Sequence, residues 1–539
     1  MNNNTMTHHA LTLGPIIKTL SEARATRELW AASYMFSYIS KEIVKALINR
    51  GVNEDDFLVP TIAAPLQTIL GENRGELVGI GLFPDRIIFK SPEEIDLKSI
   101  AETVIKQFVE KVADAIGASK DDVSDYLLKY IQCYTLQMDI PDGKNASAAI
   151  SPYLDSMELQ RSFTQEDKDF LSEFFNRVTR SFLVQDAWKE QQNKENFHSF
   201  KTLLEIAFEQ FKEEEEYKAI TRTRRQNYVN DWVWKKLKEE DDKLDKNLLD
   251  TLILKYKKHE KTPLKQAHNY IAVVQADGDN VGSIIGYFEG EAYRNDYKTF
   301  SDKINEVNAD AAKKIKNYGG MNIYAGGDDL LFFAPVVNGN THIFDLLRDI
   351  NKTFDDAFEP MGEFMVNGKP RKPSLSFGVS ITYYKFPLYE ALESAQNLLF
   401  GKAKTGDKNK LALTIQKHSG ESFESVFGLG SPSYVCLQEL MKHCLQNPNN
   451  KLGSIVFKIR ENEELFKVIG ASKTQVKNFI KNSFNEPVHD EPGKRDYLNI
   501  IVELIPKVFA EKSDPDDALQ TIYGMIRTVS FLISTEIKL

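Results

Sequence analysis

Apolar and polar positions along this chain fall into four stretches with different periodicities. Up to about residue 150, short apolar runs (ALTLGPI, FLVPTIA, RIIFK and YIQCYTLQM) read as strands. Between the first two, a helical pattern spans residues 21 to about 50. Its Leu29, Met35, Phe36, Ile39, Ile43 and Leu47 mark one buried face, and Gly51 stands as a C′ stop. A second helix is expected near residues 99–115, and the turn-rich IPDGKN (140–145) marks a boundary. Residues 151–265 are helical and heavily charged, with an acidic run at 213–216 and then KKLKEEDDKLDK. We read that charge as solvated helix faces and assign it no chemistry.

Alternation returns at residue 266. The expected order is strand, helix, strand, turn, strand, helix, strand, helix, strand, with helices at about 297–317, 341–358 and 388–404. Helical periodicity then resumes from 418, most clearly at 497–509 and 518–533. The fold class is therefore α+β, with α+β regions at 1-150 and 266-417 and helical regions at 151-265 and 418-539. No short-period repeat is visible, although the two α+β regions are candidates for distant copies of one fold.

Composition narrows the function class. A chain of 539 residues exceeds what one core supports, so several domains are expected. Its 42% hydrophobic and 27% charged content is ordinary for a soluble protein, and no apolar run approaches membrane-spanning length, so no membrane partner is expected. The opening MNNNTMTHHA lacks the basic start and apolar core of a secretory signal. Three cysteines, Cys133, Cys436 and Cys444, argue against a disulfide scaffold and suit a reducing cytoplasm. A net charge of −10 excludes a wholly electrostatic nucleic-acid binder. A local basic groove can still contact RNA, because counterion release depends on local contacts.

The chemistry is concentrated in two acidic segments. Gly326-Gly327-Asp328-Asp329 lies between the apolar runs MNIYA and LLFFAP, which reads as a tight hairpin with carboxylates at its tip. Asp277-Gly278-Asp279 follows the apolar run YIAVVQA. Asp277 precedes the pair by 51 and 52 residues, with one helix between, and in a β-α-β-β unit the first and third strands can be neighbours. Three aspartates brought together would repel one another without a cation, so the cluster is read as a site for two Mg²⁺ or Mn²⁺ ions. Such a pair activates a hydroxyl and stabilises a leaving pyrophosphate. Asn280 opens a turn whose N–H groups can hold phosphate. Ser376, in the strand PSLSFGVSI, joins the expected nucleotide-facing set, and Lys404 and Lys408 follow at the end of a helix.

Taken in order, YIAVVQADGDN, YAGGDDLLFF, SFGVS and AKTGDKN resemble the catalytic palm of the diguanylate-cyclase and nucleotide-polymerase superfamily. With the N-terminal LGPIIKTLSEARATRELWAASYMFSY, the set resembles the large subunit of type III CRISPR effector complexes, specifically the Cmr (III-B) branch. The resemblance implies two ferredoxin-like palms alternating with two helical domains. It also implies assembly with guide RNA, target RNA and other Cmr-type subunits, and conversion of ATP into an adenylate second messenger in antiviral defence. Asp277, Asp328 and Asp329 match the metal-binding positions, and Lys404 and Lys408 the triphosphate-contacting ones.

The sequence departs from the family pattern in three ways. The first palm begins almost at residue 1, and the only His-Asp dipeptide, His489-Asp490, lies far downstream, so DNA cleavage by an HD domain is not expected. Three scattered cysteines cannot form a four-cysteine zinc site, and Cys436, His443 and Cys444 read as helix residues. Asp407 stands where a glycine usually precedes the second lysine. The first palm has no GGDD equivalent, only Asp85 in GIGLFPDRI, and is expected to be structural or to lend a surface to nucleotide. Arg24 and Arg27 are open to RNA, to a partner subunit or to an ordinary polar helix face. Two alternatives to cyclic oligoadenylate synthesis stand: transfer of AMP to S-adenosylmethionine by the same palm, and a catalytically silent scaffold.

Overall fold

The computed structural model describes residues 5–71, 77, 79–91, 95–160, 169–188, 200–230, 234–256, 264–290, 293–489 and 491–535. The first sheet contains β1 (Thr5–Gly14), β2 (Phe57–Val59), β3 (Arg86–Lys90) and β4 (Gln132–Pro141), in the order β2-β3-β1-β4 with every pair antiparallel. FLVPTIA yields only three strand residues, because Pro60 has no N–H to donate to the ladder. The helix Leu97–Ile116 starts on the Asp96 side chain, which accepts the Ser99 N–H, and stops at Gly117 with φ 69°. The following helix, Lys120–Tyr130, was not anticipated from periodicity.

The pattern at 21–50 resolves into a short helix, Ile16–Ser21, and a long one, Thr26–Asn49. The long helix is buried around most of its circumference rather than on one face. It is held from two sides. Trp30 Nε1 donates to the Gly79 carbonyl (2.8 Å), and Ser33 Oγ donates to the Ile323 carbonyl (2.9 Å) in the second sheet.

That second sheet is built from β5 (Tyr270–Asp279), β6 (Met321–Gly326) and β7 (Asp329–Pro335). Two small hairpins come next, β8 (Val337–Asn338) with β9 (Thr341–His342) and β10 (Phe364–Val366) with β11 (Lys369–Arg371). Then β12 (Ser374–Tyr383), β13 (Lys410–Gln416) and β14 (Ser422–Gly428) complete the sheet, in the order β14-β13-β12-β5-β7-β6. Only β12 and β13 run parallel. Both sheets pair their first strand with their third and fourth, although in the first sheet the helix Ala64–Leu70 intervenes between β2 and β3. β14 lies beyond residue 417, so the sheet continues past the boundary expected from sequence. β5 sits between β12 and β7, and Tyr270–Ala276 is buried apart from Gln275. This explains why its apolar run does not alternate. At Gly378 in β12, a Cβ would collide with the Ala395 carbonyl oxygen, so this glycine sets how closely the helix Leu388–Leu398 packs on the sheet.

Part of the charge at 213–246 is not solvated. Arg224 is fully buried, with its guanidinium 2.5 Å from Glu205, 3.1 Å from Asp241 and 2.6 Å from Asp245. Burial pushes the Asp245 carboxyl up to about 6 even beside that guanidinium. Two aspartates of KKLKEEDDKLDK are thus internal ties, a departure from the surface reading.

One apolar cluster joins Leu11 of the first sheet, Ile39 of the long helix, Val273 and Phe332 of the second sheet, and Ile505 of the C-terminal helices. Among the described residues no helix is long and apolar enough to cross a membrane.

Candidate active site

The acidic residues meet because β5 ends where β7 begins. The two strands run antiparallel in a register that places Asp277 opposite Asp329. Directly opposed residues on neighbouring strands present their side chains to the same face. The Gly278 N–H donates to the Asp328 carbonyl (3.0 Å), tying the β6–β7 turn to β5. Glycine is required at 278, since a Cβ there would lie 2.8 Å from Asp328 Cβ and 3.2 Å from its Oδ2. Gly327 holds the turn with φ 62°, a left-handed conformation that glycine adopts without strain. Its carbonyl accepts from Asn308 Nδ2, and Gly326 lies against the Tyr324 hydroxyl.

The electrostatics are those of carboxylates short of positive charge. Burial, with a contribution from Asp279, raises the Asp328 carboxyl to about 6. Burial, Asp328 and Asp85 hold Asp329 well above the ordinary carboxylate range. Asp329 Oδ1 is buried and, among the described residues, has no hydrogen-bond partner. Lys404 follows a π-helical turn at Leu399–Ala403 and brings its ammonium against the Asp277 carboxylate. The same ammonium donates to the Gly278 carbonyl (3.1 Å) and lies 4.0 Å from Asp279. Burial and the neighbouring Lys408 charge draw the Lys404 amine down to about 8.

Not every expected residue faces this site. Asp279 and Ser376 are both fully buried. Asp279 Oδ2 accepts from Ser374 Oγ (2.9 Å), Ser376 Oγ (2.7 Å) and the Asn409 N–H (2.9 Å). These two residues tie β5 to β12 and to the start of β13, and neither side chain is exposed. Asn280 adopts φ 64° and sends Nδ2 to the Lys372 carbonyl (3.0 Å), away from the acidic turn. Asp279→Ala would leave two hydroxyls and one N–H without their acceptor. It is expected to destabilise the protein by about 3 kcal/mol or more, at roughly 1–3 kcal/mol for each buried orphan. Asp279→Asn should lose less, and urea unfolding of both variants checks the order.

The first α+β region, expected to be structural or to lend a surface to nucleotide, reaches this turn. The Ala325 N–H donates to the Gly81 carbonyl (3.3 Å), and Asp85 is close enough to perturb Asp329. Asn308 was missed from sequence, its only signal being a buried polar residue on an otherwise amphipathic helix. Arg27 is buried 3.9 Å from Asp241. Cys436 and Cys444 are buried in the helix Pro432–Gln446, where His443 Nε2 lies 2.8 Å from the Gly493 carbonyl. Asp490 of His489-Asp490 lies outside the described residues.

The donor set suits a divalent cation: all-oxygen ligands, two of them opposed across neighbouring strands, and one buried oxygen without a partner. Among the described residues, no three metal-ligating side chains are preassembled around a common centre. The Lys404 ammonium supplies the positive charge at Asp277 instead.

Comparison with known proteins follows the same two regions. Residues 270–412 match the family model of the Cas10/Cmr2 second palm domain, and residues 9–117 that of the CRISPR-associated protein Cmr2 N-terminal region. The CRISPR system Cmr subunit Cmr2 of Pyrococcus furiosus is 30% identical over 217 residues, covering 36% of this chain and 23% of the relative. The chain thus matches about a quarter of that relative's length. Two solved structures of type III-B Cmr-β, one bound to cognate target RNA and one apo, each align with a TM-score of 0.56 at 12% identity. The alignments cover 89% of this chain and 78% and 77% of those chains, and at that identity they speak to the fold alone. Together the two family matches and the curated relative support a Cas10/Cmr2-type subunit, matched through residues 9–117 and 270–412.

Proposed function

We propose that this chain is the large subunit of a type III-B CRISPR effector complex, and that its acidic turn is the centre of a target-RNA-activated nucleotidyltransferase. The observation that carries this reading is the direct pairing of Asp277 with Asp329, beside the Gly326-Gly327 turn and the Lys404 ammonium. In this reading residues 1–150 form a non-catalytic palm and residues 266–417 the catalytic one, with β14 added to its sheet. Residues 151–265 and 418–539 form the helical domains. Guide RNA, target RNA and other Cmr-type subunits are the partners.

The substrate is ATP in both roles. The 3′-hydroxyl oxygen of one molecule bonds to the α-phosphorus of another. The bond from that phosphorus to the pyrophosphate oxygen breaks, and the hydroxyl proton passes to solvent. Repetition and closure give a cyclic oligoadenylate. Asp277, Asp328 and Asp329 would hold Mg²⁺ or Mn²⁺, which when bound lowers the hydroxyl's pKa and stabilises the leaving pyrophosphate. Lys404, drawn down to about 8, remains mostly protonated at neutral pH and available to a triphosphate. Lys408 adds a second positive charge nearby. Gly327, where a side chain would meet nothing within 4 Å, leaves the main chain open to the nucleotide, and Gly81 of the first region holds β6 through the Ala325 N–H.

The test is mass spectrometry of products from the assembled complex, incubated with target RNA, Mg²⁺ or Mn²⁺ and labelled ATP, with and without S-adenosylmethionine. The expected result is pyrophosphate release that requires target RNA, with cyclic oligoadenylate masses. An AMP conjugate formed only with S-adenosylmethionine would reassign the acceptor. No pyrophosphate under any condition would leave the scaffold role.

A further inference from the structure

At the far end of β5 from the acidic turn lies a cavity of about 790 Å³. Its walls come from residues 265–268, from the β8–β9 hairpin with the helix it leads into, Ile343–Phe358, and from the helix Pro432–Gln446. A short 3-10 turn, Gln266–Asn269, leads from the cavity into β5, and the strand from Tyr270 to Asp277 spans roughly 23 Å at 3.3 Å per residue. The cavity is therefore distinct from the proposed catalytic centre. Its volume falls in the range of small-molecule sites.

Lys265 lines this cavity and is only 8% exposed. Burial lowers its pKa, and among the described residues no carboxylate opposes that shift. The two aspartates on the same wall are already engaged, since Arg348 lies 3.0 Å from Asp345 and 3.1 Å from Asp349. His268 Nδ1 lies 2.8 Å from the Lys265 nitrogen and 3.2 Å from the Lys265 carbonyl; in the shorter pairing it accepts the Lys265 N–H, and the ring proton is then on Nε2. That Nε2 is buried and without a partner among the described residues. Glu439 and Lys442 stand exposed at the rim with opposite charges. The unmatched groups inside are thus donors, one of them an ammonium, and a buried ammonium is costly without a counter-charge.

We propose that this cavity is a second ligand site, taking a small organic phosphate of about nucleotide size with its phosphate against Lys265 and His268. The anion supplies an acceptor and a counter-charge for Lys265, while the wall carboxylates Asp345 and Asp349 stay on Arg348. Side-chain amides of Gln210 and Asn340 line the remaining volume and offer paired donors and acceptors to the rest of the molecule.

Equilibrium dialysis of the full chain against labelled AMP and, separately, inorganic pyrophosphate tests this. All proteins carry Lys404→Met to weaken binding at the acidic turn. Lys265→Met is expected to weaken AMP binding at least about tenfold, one charge-assisted contact's worth. Because it removes a buried charge with no carboxylate partner among the described residues, it should leave the melting temperature unchanged or raise it. Lys442→Glu, an exposed change that does not threaten folding, should weaken binding a few-fold and carries the test if Lys265→Met does not fold. Pyrophosphate binding as tight as that of AMP would place all recognition on the phosphate. The proposal is overturned if the Lys404→Met chain binds neither probe, or if Lys265→Met or Lys442→Glu binds both as tightly as their parent.

Discussion

Asp328→Asn combined with Asp329→Asn is expected to abolish pyrophosphate release, a fall of at least about 10³-fold if both carboxylates serve as metal ligands. The same change should raise, not lower, the melting temperature at pH 7.5 in chelated buffer. The reason is the sign of the linkage. Both carboxyls are held above their ordinary pKa in the folded chain, Asp328 at about 6 and Asp329 well above the usual carboxylate range. The folded state therefore binds more protons than the unfolded one from near pH 4 to above pH 6. Stability falls as pH rises through that window, because the ionised pair is buried and mutually repelling. Asparagine removes the repulsion while keeping the shape. Calorimetry of wild type and variant from pH 4 to 8 should show the two curves converging at low pH and separating at high pH. A variant that melts earlier at neutral pH, or that no longer assembles, would make the pair structural and sink its assignment as a metal site.

Arg224→Met is expected to be the most destabilising single substitution outside the two sheets. It leaves Glu205, Asp241 and Asp245 facing one another with their shared guanidinium gone. Breaking a buried ion pair from one side costs about 3–5 kcal/mol, because the remaining charge has no counterpart. In a chain of this size that loss should appear as an early transition of the helical region rather than one cooperative melt. Limited proteolysis should then cut first within residues 200–256. Adding Glu205→Gln and Asp245→Asn should restore part of the loss, since the penalty lies in the unpaired charges and not in the missing arginine. Wild-type proteolysis kinetics for Arg224→Met alone would refute this account of the cluster.

The strands of the second sheet were legible because their apolar runs are short and bounded by turn residues. YIAVVQA and LLFFAP became β5 and β7 nearly as read, and Gly327 turns where glycine was needed. Cys436, His443 and Cys444 likewise sit in a helix, as their spacing implied. Other features resisted reading. The 213–246 charges look alike in sequence whether solvated or internal, and only packing against Glu205 distinguishes Arg224, Asp241 and Asp245. β14 was missed because SFESVFG is a weakly apolar edge run beyond an apparent end. Asp279 looked as available as Asp277, yet β12 and the Asn409 N–H enclose it.

Local pattern by itself determined the alternation of strand-rich and helical regions, the acidic turn and the residue types a divalent cation would want. These depend on near neighbours along the chain: periodicity, turn propensity and charge spacing. Strand register decided that Asp277 stands against Asp329, and packing between regions decided that Gly81 and Asp85 reach the turn. The same long-range contacts buried Lys265 beside a cavity and left its ammonium without a carboxylate among the described residues. A side chain's exposure and partners are set by segments tens or hundreds of residues away, and no window of sequence contains that information.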